Sequence, residues 1–234
     1  MSMPTDDASE QARIRVAYAR RGDAWRYDWG NPAYVFAMHD LERRVLGTLT
    51  RWAMWPLGNK RILDVGCGTG YWLWRLVAWG AAPRYLAGVD LLRHRIAHAA
   101  KHAPRATTLC CGNAGNLPFP SAHFDILMQF TVFTSILDPA IRQRVADEMV
   151  RVLHPGGAIL WYDFCIDNPR NPDVRAVRAA EIRRRFPQCT VTLQRVTLAP
   201  PLTRLLAPRS RALCSLLNLL TPLRTHYLGV LRPR

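Results

Sequence analysis

Between residues 62 and 70 the chain reads Ile-Leu-Asp-Val-Gly-Cys-Gly-Thr-Gly, and the residue types and spacing here point to a ligand site. A short apolar run enters three glycines at alternate positions: Gly66, Gly68 and Gly70. Glycine accepts a positive φ and lets a ligand approach the main chain with no Cβ in the way. A helix after such a loop offers unpaired N–H groups and the positive end of its dipole. The arrangement suits a ligand of nucleoside type. Tyr71 directly after Gly70 misplaces the third glycine of the dinucleotide fingerprint G-x-G-x-x-G, which argues against a dinucleotide. Asp90 closes the next apolar run, where a carboxylate can accept from both hydroxyls of a ribose.

Two further blocks narrow the ligand. Gly112-Asn113-Ala114-Gly115-Asn116-Leu117-Pro118-Phe119 is followed by Phe124-Asp125, and Leu153-His154-Pro155-Gly156-Gly157 comes later. With the glycine loop, they resemble motif I, the G-D-A-x-x-L-P-F and F-D blocks and the L-x-P-G-G turn of the class I S-adenosylmethionine (SAM)-dependent methyltransferases, of the small-molecule type. The resemblance covers about residues 60 to 165. It implies an enzyme that binds SAM and releases S-adenosylhomocysteine. It also implies that the cofactor is held by Asp64, Gly66, Cys67, Gly68, Gly70, Asp90, Leu91, Asn113, Ala114 and Gln129, with Leu91 packing on the adenine. The family's usual acid in the G-D-A block is Asn113 here. An amide oxygen accepts from an adenine amino group without charge assistance, so weaker adenine binding is expected.

Methyl transfer from a sulfonium is an in-line displacement, so alignment supplies much of the acceleration. A hydroxyl acceptor also needs a base, typically a contribution of about 10²–10⁴-fold. If the last strand runs antiparallel, as in the family, His226 and Tyr227 start it on the edge where Tyr162 and Asp163 end the fifth strand. His226, Asp163 and His39 are therefore the candidate bases, with His39 reaching over from the N-terminal helix. His154 falls on the opposite rim and is read as structural. His94, His98 and His102 recur every four residues, but Arg93, Arg95 and Lys101 surround them. That row is read as a solvated face, and no metal is expected.

The elements that must position these residues alternate from Lys60 onward. Arg61–Val65, Tyr85–Val89, Thr107–Cys111, Phe124–Phe130 and Ala158–Phe164 read as buried parallel strands. Helices begin near Tyr71, Leu92 and Pro139, the last capped by Asp138. Asn171-Pro172-Asp173 reads as the start of another helix, ending at Phe186-Pro187. Val191–Leu198 and His226–Leu231 complete an α/β, Rossmann-like doubly wound sheet of about seven strands. Ahead of it, residues 1–56 form a helical extension or cap, with helices over Ile14–Arg21 and from Asn31-Pro32 to just before Pro56. Residues 57–234 form the SAM-binding core. The cap's aromatic residues, Tyr18, Tyr27, Trp29 and Tyr34, are candidates to line the pocket.

Residues 200–223 are Pro- and Leu-rich and should form a helical lid over the acceptor site. Leu202, Leu205, Leu206, Leu213, Leu216, Leu217, Leu219 and Leu220 recur at helical spacing, which favours packing on the core. The competing reading is a surface that meets an anionic or lipid-linked glycan acceptor beside a membrane. Charge bears on this. The formal net charge is +15, no Asp or Glu follows Glu181, and Lys60 and Lys101 are the lysines among 32 basic residues. Such a chain attracts polyanions. An RNA acceptor is disfavoured, because Gln129-Phe130-Thr131 stands where base-amino methylation has an N-P-P-Y-like motif. A SAM-binding protein without catalysis is the other alternative. Six scattered cysteines and a polar, acidic start read as a reduced, cytoplasmic protein, acting at the membrane's inner face if the lid meets lipid.

Overall fold

The computed structural model describes residues 7–20 and 27–234. Arg21, the expected end of the first helix, lies outside them. Seven strands form one sheet: β1 (Ile62–Val65), β2 (Leu86–Asp90), β3 (Thr108–Cys111), β4 (Phe124–Phe130), β5 (Leu153–Phe164), β6 (Cys189–Leu198) and β7 (Arg224–Pro233), in the order β3-β2-β1-β4-β5-β7-β6. β7 pairs antiparallel with both β5 and β6, and the pairs among β1 to β5 are parallel. The order reverses between β1 and β4. In a doubly wound sheet, ligands bind at such a switch point, outside the carboxyl ends of the strands.

The helices are α1 (Asp7–Ala19), α2 (Pro32–Arg51), α3 (Tyr71–Ala78), α4 (Arg93–His102), α5 (Pro139–Val152), α6 (Ala179–Arg185), α7 (Pro200–Leu206) and α8 (Arg211–Leu217). The start signals act as their chemistry dictates. Asn31 accepts from the Ala33 amide ahead of Pro32, and Asp138 accepts from Ala140 and Ile141 ahead of α5. The core divides by sheet face. Ile141, Val145 and Met149 of α5 and Ile182 of α6 cover Leu63, Leu127, Ile159 and Trp161. Leu41, Val45 and Leu49 of α2 and Leu73 and Leu76 of α3 cover Ile62, Met128, Leu160 and Leu228.

One expected helix is much shorter. Residues 171–178 are turns and extended backbone, and α6 begins only at Ala179. Asn171 spends its side chain on the Asp173 amide, an Asx turn that competes with helix formation. The Arg175 and Val177 amides donate to the carbonyls of Thr134 and Phe164, so the segment's backbone bonds go to the sheet edge. Arg142, fully buried on α5, locks it there by donating to the carbonyls of Ile136 and Arg175 and to Glu181.

The lid residues form α7 and α8 and split between two environments. Leu202, Leu206 and Leu217 pack with Ala33 and Phe36 of α2. Leu205, Leu213, Leu216, Leu219 and Leu220 are exposed. Core packing therefore accounts for three of the eight lid leucines, and the expectation that favoured it fails for the other five. The short helices present one face to α2, and among the described residues their other face is exposed.

Candidate functional site

The glycine loop leaves β1 through Gly66 at φ +75°, where a Cβ would collide with the Val132 side chain. Gly68 and Gly70 also have positive φ, and Gly70 caps α3 without a side chain. This turn aims the loop amides across β2. Asp90, buried at the end of β2, accepts from the Gly68 amide at 2.9 Å and the Leu92 amide at 2.8 Å. One oxygen is engaged by each, which leaves each a second lone pair for a sugar hydroxyl.

A cavity of about 120 Å³ lies against this turn, lined by Gly66, Asp90, Leu91, Asn113, Ala114 and Phe130 among others. Cofactor sites usually offer roughly 300–1,000 Å³. The space is small because α1 lies across it and contributes Asp7, Glu10, Gln11, Ile14 and Tyr18 to the wall. Polar bonds hold α1 down. Glu10 accepts from the Leu137 amide at 2.6 Å, Arg13 donates to the Ser135 carbonyl at 2.6 Å, and the Tyr18 hydroxyl meets Ser135 Oγ at 3.1 Å. Burial works to raise the Glu10 pKa, but Arg13 and the Leu137 amide outweigh it and hold the carboxyl below its ordinary value.

Of the residues expected to hold a cofactor, Gly66, Asp90, Leu91, Asn113 and Ala114 line this cavity. Asp64, Cys67, Gly68, Gly70 and Gln129 do not line it. The Cys67 side chain turns toward Gly88 under the loop, and burial pushes its thiol pKa up. Gln129 accepts from the Val132 amide and holds the turn after β4, while its Nε2 has no partner. Thr131 there takes φ +61°, rare for a β-branched residue and common at functional sites. Asp64 is fully buried beside the loop, and one of its oxygens has no partner. Burial, then the Asp90 charge, pushes its pKa up to about 8. An orphaned buried acceptor beside a glycine loop fits the ammonium of a methionine moiety, so the residues fit SAM.

Asn113 carries a feature that its spacing did not reveal. Its oxygen accepts from the Gly115 amide, and its Nδ2 donates to Asp7 at 2.9 Å. An acid therefore stands beside the G-D-A block after all, brought in from α1. Asp7 precedes Asn113 by 106 residues, and no short-range pattern links them.

Two of the three candidate bases, Asp163 and His226, separate by strand parity. Asp163 pairs with Tyr227, and Phe164 with His226, so Asp163 and His226 project from opposite faces. Asp163 lies on the α5 face with no exposed surface and accepts from Thr134 Oγ1 at 2.6 Å and from the amides of Thr134 and Phe164. Burial raises its pKa to about 6 against these bonds. It anchors the turn that carries Ser135 to the cavity. His226 lies on the α2 face, buried, its ring stacked on Tyr162 at 4.8 Å and 5°. Burial pushes its pKa down to about 3. His39, on α2, is exposed and packs near Trp29 at 6.0 Å.

Rings connect the two histidines. From His39 the run passes through Trp29, Tyr71, Trp72, Phe130 and Tyr162 to His226, with successive centroids 4.7 to 6.0 Å apart. Beneath it, Glu42 is buried between the Tyr71 hydroxyl and Arg75. Phe130 belongs to both regions: it lines the cavity and packs edge-on against Trp72. Trp29 and Tyr34 thus belong to this ring cluster and Tyr18 to the cavity wall. His154, at the other end of β5, is exposed and accepts from the Gly156 amide.

Known proteins resemble this chain in sequence and in fold. Residues 62–157 match the family model described as a methyltransferase domain. A probable S-adenosylmethionine-dependent methyltransferase of Mycolicibacterium smegmatis is 33% identical over 132 residues, 53% of this chain and 49% of that protein. A tRNA U34 carboxymethyltransferase of Stutzerimonas stutzeri is 37% identical over 95 residues, 38% of this chain and 27% of that protein. The chain thus spans about half or less of these curated relatives. The crystal structure of an S-adenosylmethionine-dependent methyltransferase from Mesorhizobium loti superposes with a TM-score of 0.58 at 19% identity, over 78% of this chain and 95% of that one, which shows the shared fold. With the sheet order, the glycine turn and Asp90 in place, residues 62–157 are similar to the methyltransferase domain of SAM-dependent methyltransferases.

Proposed function

We propose that the chain transfers the methyl group of SAM to a small-molecule or glycan-type acceptor, at oxygen, in a reducing cytoplasmic setting. The observation that carries this reading is Phe130, the shared wall between the cofactor cavity and the aromatic run on the α2 face. A methyl presented past Phe130 would meet rings, which suit the flat or apolar faces of a compact acceptor. SAM, when bound, supplies an electrophilic methyl on a sulfonium, itself a good leaving group.

The chain's residues have distinct tasks in this reading. Asp90 takes the ribose hydroxyls, Asp64 the methionyl ammonium, and Asp7 with Asn113 the adenine amino group. Alignment of acceptor and methyl against Phe130 and Tyr162 does most of the work. His226 is the base on the acceptor side, and Asp163 positions the turn after β4. A base whose pKa is about 3 contributes at the lower end of the roughly 10²–10⁴-fold range. The six free cysteines support a reducing compartment.

The charge of +15 supports a second reading, an RNA acceptor. Transfer of a labelled methyl group to a panel of phenols, glycans and lipid-linked sugars, beside bulk RNA, separates the two. Turnover on a small acceptor is expected. Turnover on RNA alone would replace the proposal, and cofactor binding without turnover on either would reduce the chain to a SAM-binding protein. On the active acceptor, His226→Asn should lower kcat by about 10²-fold with cofactor affinity unchanged. Since its imidazole stays unprotonated above its pKa of about 3, kcat should show no acid limb in the ordinary histidine range. A limb near pH 6 would instead assign the base to Asp163.

A further inference from the structure

Helices pack on both faces of the sheet, and among the described residues the outer surface of α7 and α8 is apolar and exposed. Leu205 is 58% exposed, Leu213 40%, Leu216 62%, Leu219 68% and Leu220 53%. They sit within sixteen residues of chain, on two short helices and the turn after them. Large apolar side chains gathered this closely mark an interaction surface, whereas scattered ones do not. The inner leucines of the same helices already satisfy the packing against α2. The outer five are surplus to the fold.

Charge identifies what covers them. Arg204, Arg209 and Arg211 are exposed among these leucines, and no acid follows Glu181. A second copy docked through the same face would set arginines against arginines, a juxtaposition that opposes association. An anionic lipid surface accepts both components. Leucines enter the boundary between headgroups and acyl chains, and arginines stay with the phosphates. Among the described residues no helix is long and apolar enough to cross a membrane, so the contact would lie on the surface.

We propose that the outer face of α7 and α8 docks this protein on an anionic lipid bilayer through Leu205, Leu213, Leu216, Leu219 and Leu220 with Arg204, Arg209 and Arg211. The face does not depend on the identity of the acceptor. The inner side of the same helices packs on α2, which also carries His39.

The test is co-sedimentation of the full chain with vesicles of phosphatidylcholine alone and of phosphatidylcholine mixed with phosphatidylglycerol, at low and high salt. Binding to the mixed vesicles, weak binding to the neutral ones and loss at high salt are expected. L216S/L219S should lower the vesicle partition constant by about tenfold or more. R204Q/R209Q/R211Q should lower it by roughly tenfold or more on the anionic vesicles alone. Retained S-adenosylhomocysteine binding by each variant shows that the fold persists. No sedimentation with either vesicle, equal binding to both, or binding unaffected by L216S/L219S would overturn the proposal. So would light scattering that shows a dimer, abolished by L216S/L219S, in a protein that ignores vesicles, since the face would then belong to a second copy.

Discussion

Asp64 shows how burial alters the titration of an ordinary carboxylate. Its ordinary pKa is near 3.8, and in the folded chain burial and the Asp90 charge raise it to about 8. Between those values the folded chain keeps a proton that the unfolded chain releases. Its effect on stability therefore runs downward as pH rises through the window and is complete above about 8. A ligand ammonium favours the charged carboxylate and pulls the pKa back. The affinity for S-adenosylhomocysteine should accordingly rise by up to about tenfold per pH unit on approaching pH 8, where the carboxylate ionises unaided. Titration calorimetry at several pH values checks this, and Asp64→Asn should remove the slope. The sequence singles out this carboxylate ahead of the glycine loop, inside a four-residue strand, but not its shifted pKa. Its altered chemistry comes from enclosure, which strand, loop and neighbouring carboxylate create together.

At the scale of elements, α1 carries the main consequence. It closes the cavity beside the glycine turn by polar bonds more than by apolar packing, and such contacts open more readily than a core. Glu10 is central, since it binds both Arg13 and the Leu137 amide. Glu10→Gln removes the charge assistance while keeping the shape. Stopped-flow measurement should show both cofactor association and release accelerating by several-fold, with the melting temperature nearly unchanged. An unaltered exchange rate would mean that α1 does not gate the cavity. Only the second half of α1 was legible, in the helix expected over Ile14–Arg21, whereas its start at Asp7 and its placement were not. It depends on partners 106 to 127 positions away, Asn113 and Leu137 among them. The short α6 has the same origin: no helix starts at Asn171-Pro172-Asp173, because the Asx turn there and the bonds to Thr134 and Phe164 take the backbone donors that a longer helix would use.

For the whole molecule, Arg142 is the tie between layers. It is fully buried and joins α5 to the 171–178 segment and to Glu181 of α6. Burial lowers its pKa, and Glu181 partly restores it. Replacement by methionine fills the space but strands two backbone carbonyls and weakens the hold on Glu181. A loss of roughly 3 kcal/mol is expected from urea denaturation. Arg142→Lys should recover little, since an ammonium cannot make the forked contact. The chain otherwise follows the doubly wound plan, with the last strand reversed. That reversal brings His226 beside the carboxyl end of β5, as expected, and the strand register then sends Asp163 to the other face.

What the sequence determined by itself was the strand–loop–helix unit around Gly66, Asp90 at the end of the next strand and the alternation that builds the sheet. These rest on backbone stereochemistry and on spacings of a few residues, which a linear reading contains. Tertiary structure alone decided that Asp7 stands beside Asn113, that Asp163 and His226 face apart, and that five lid leucines are left uncovered. Each depends on how distant segments share limited core surface, and that outcome belongs to the packing of the whole chain.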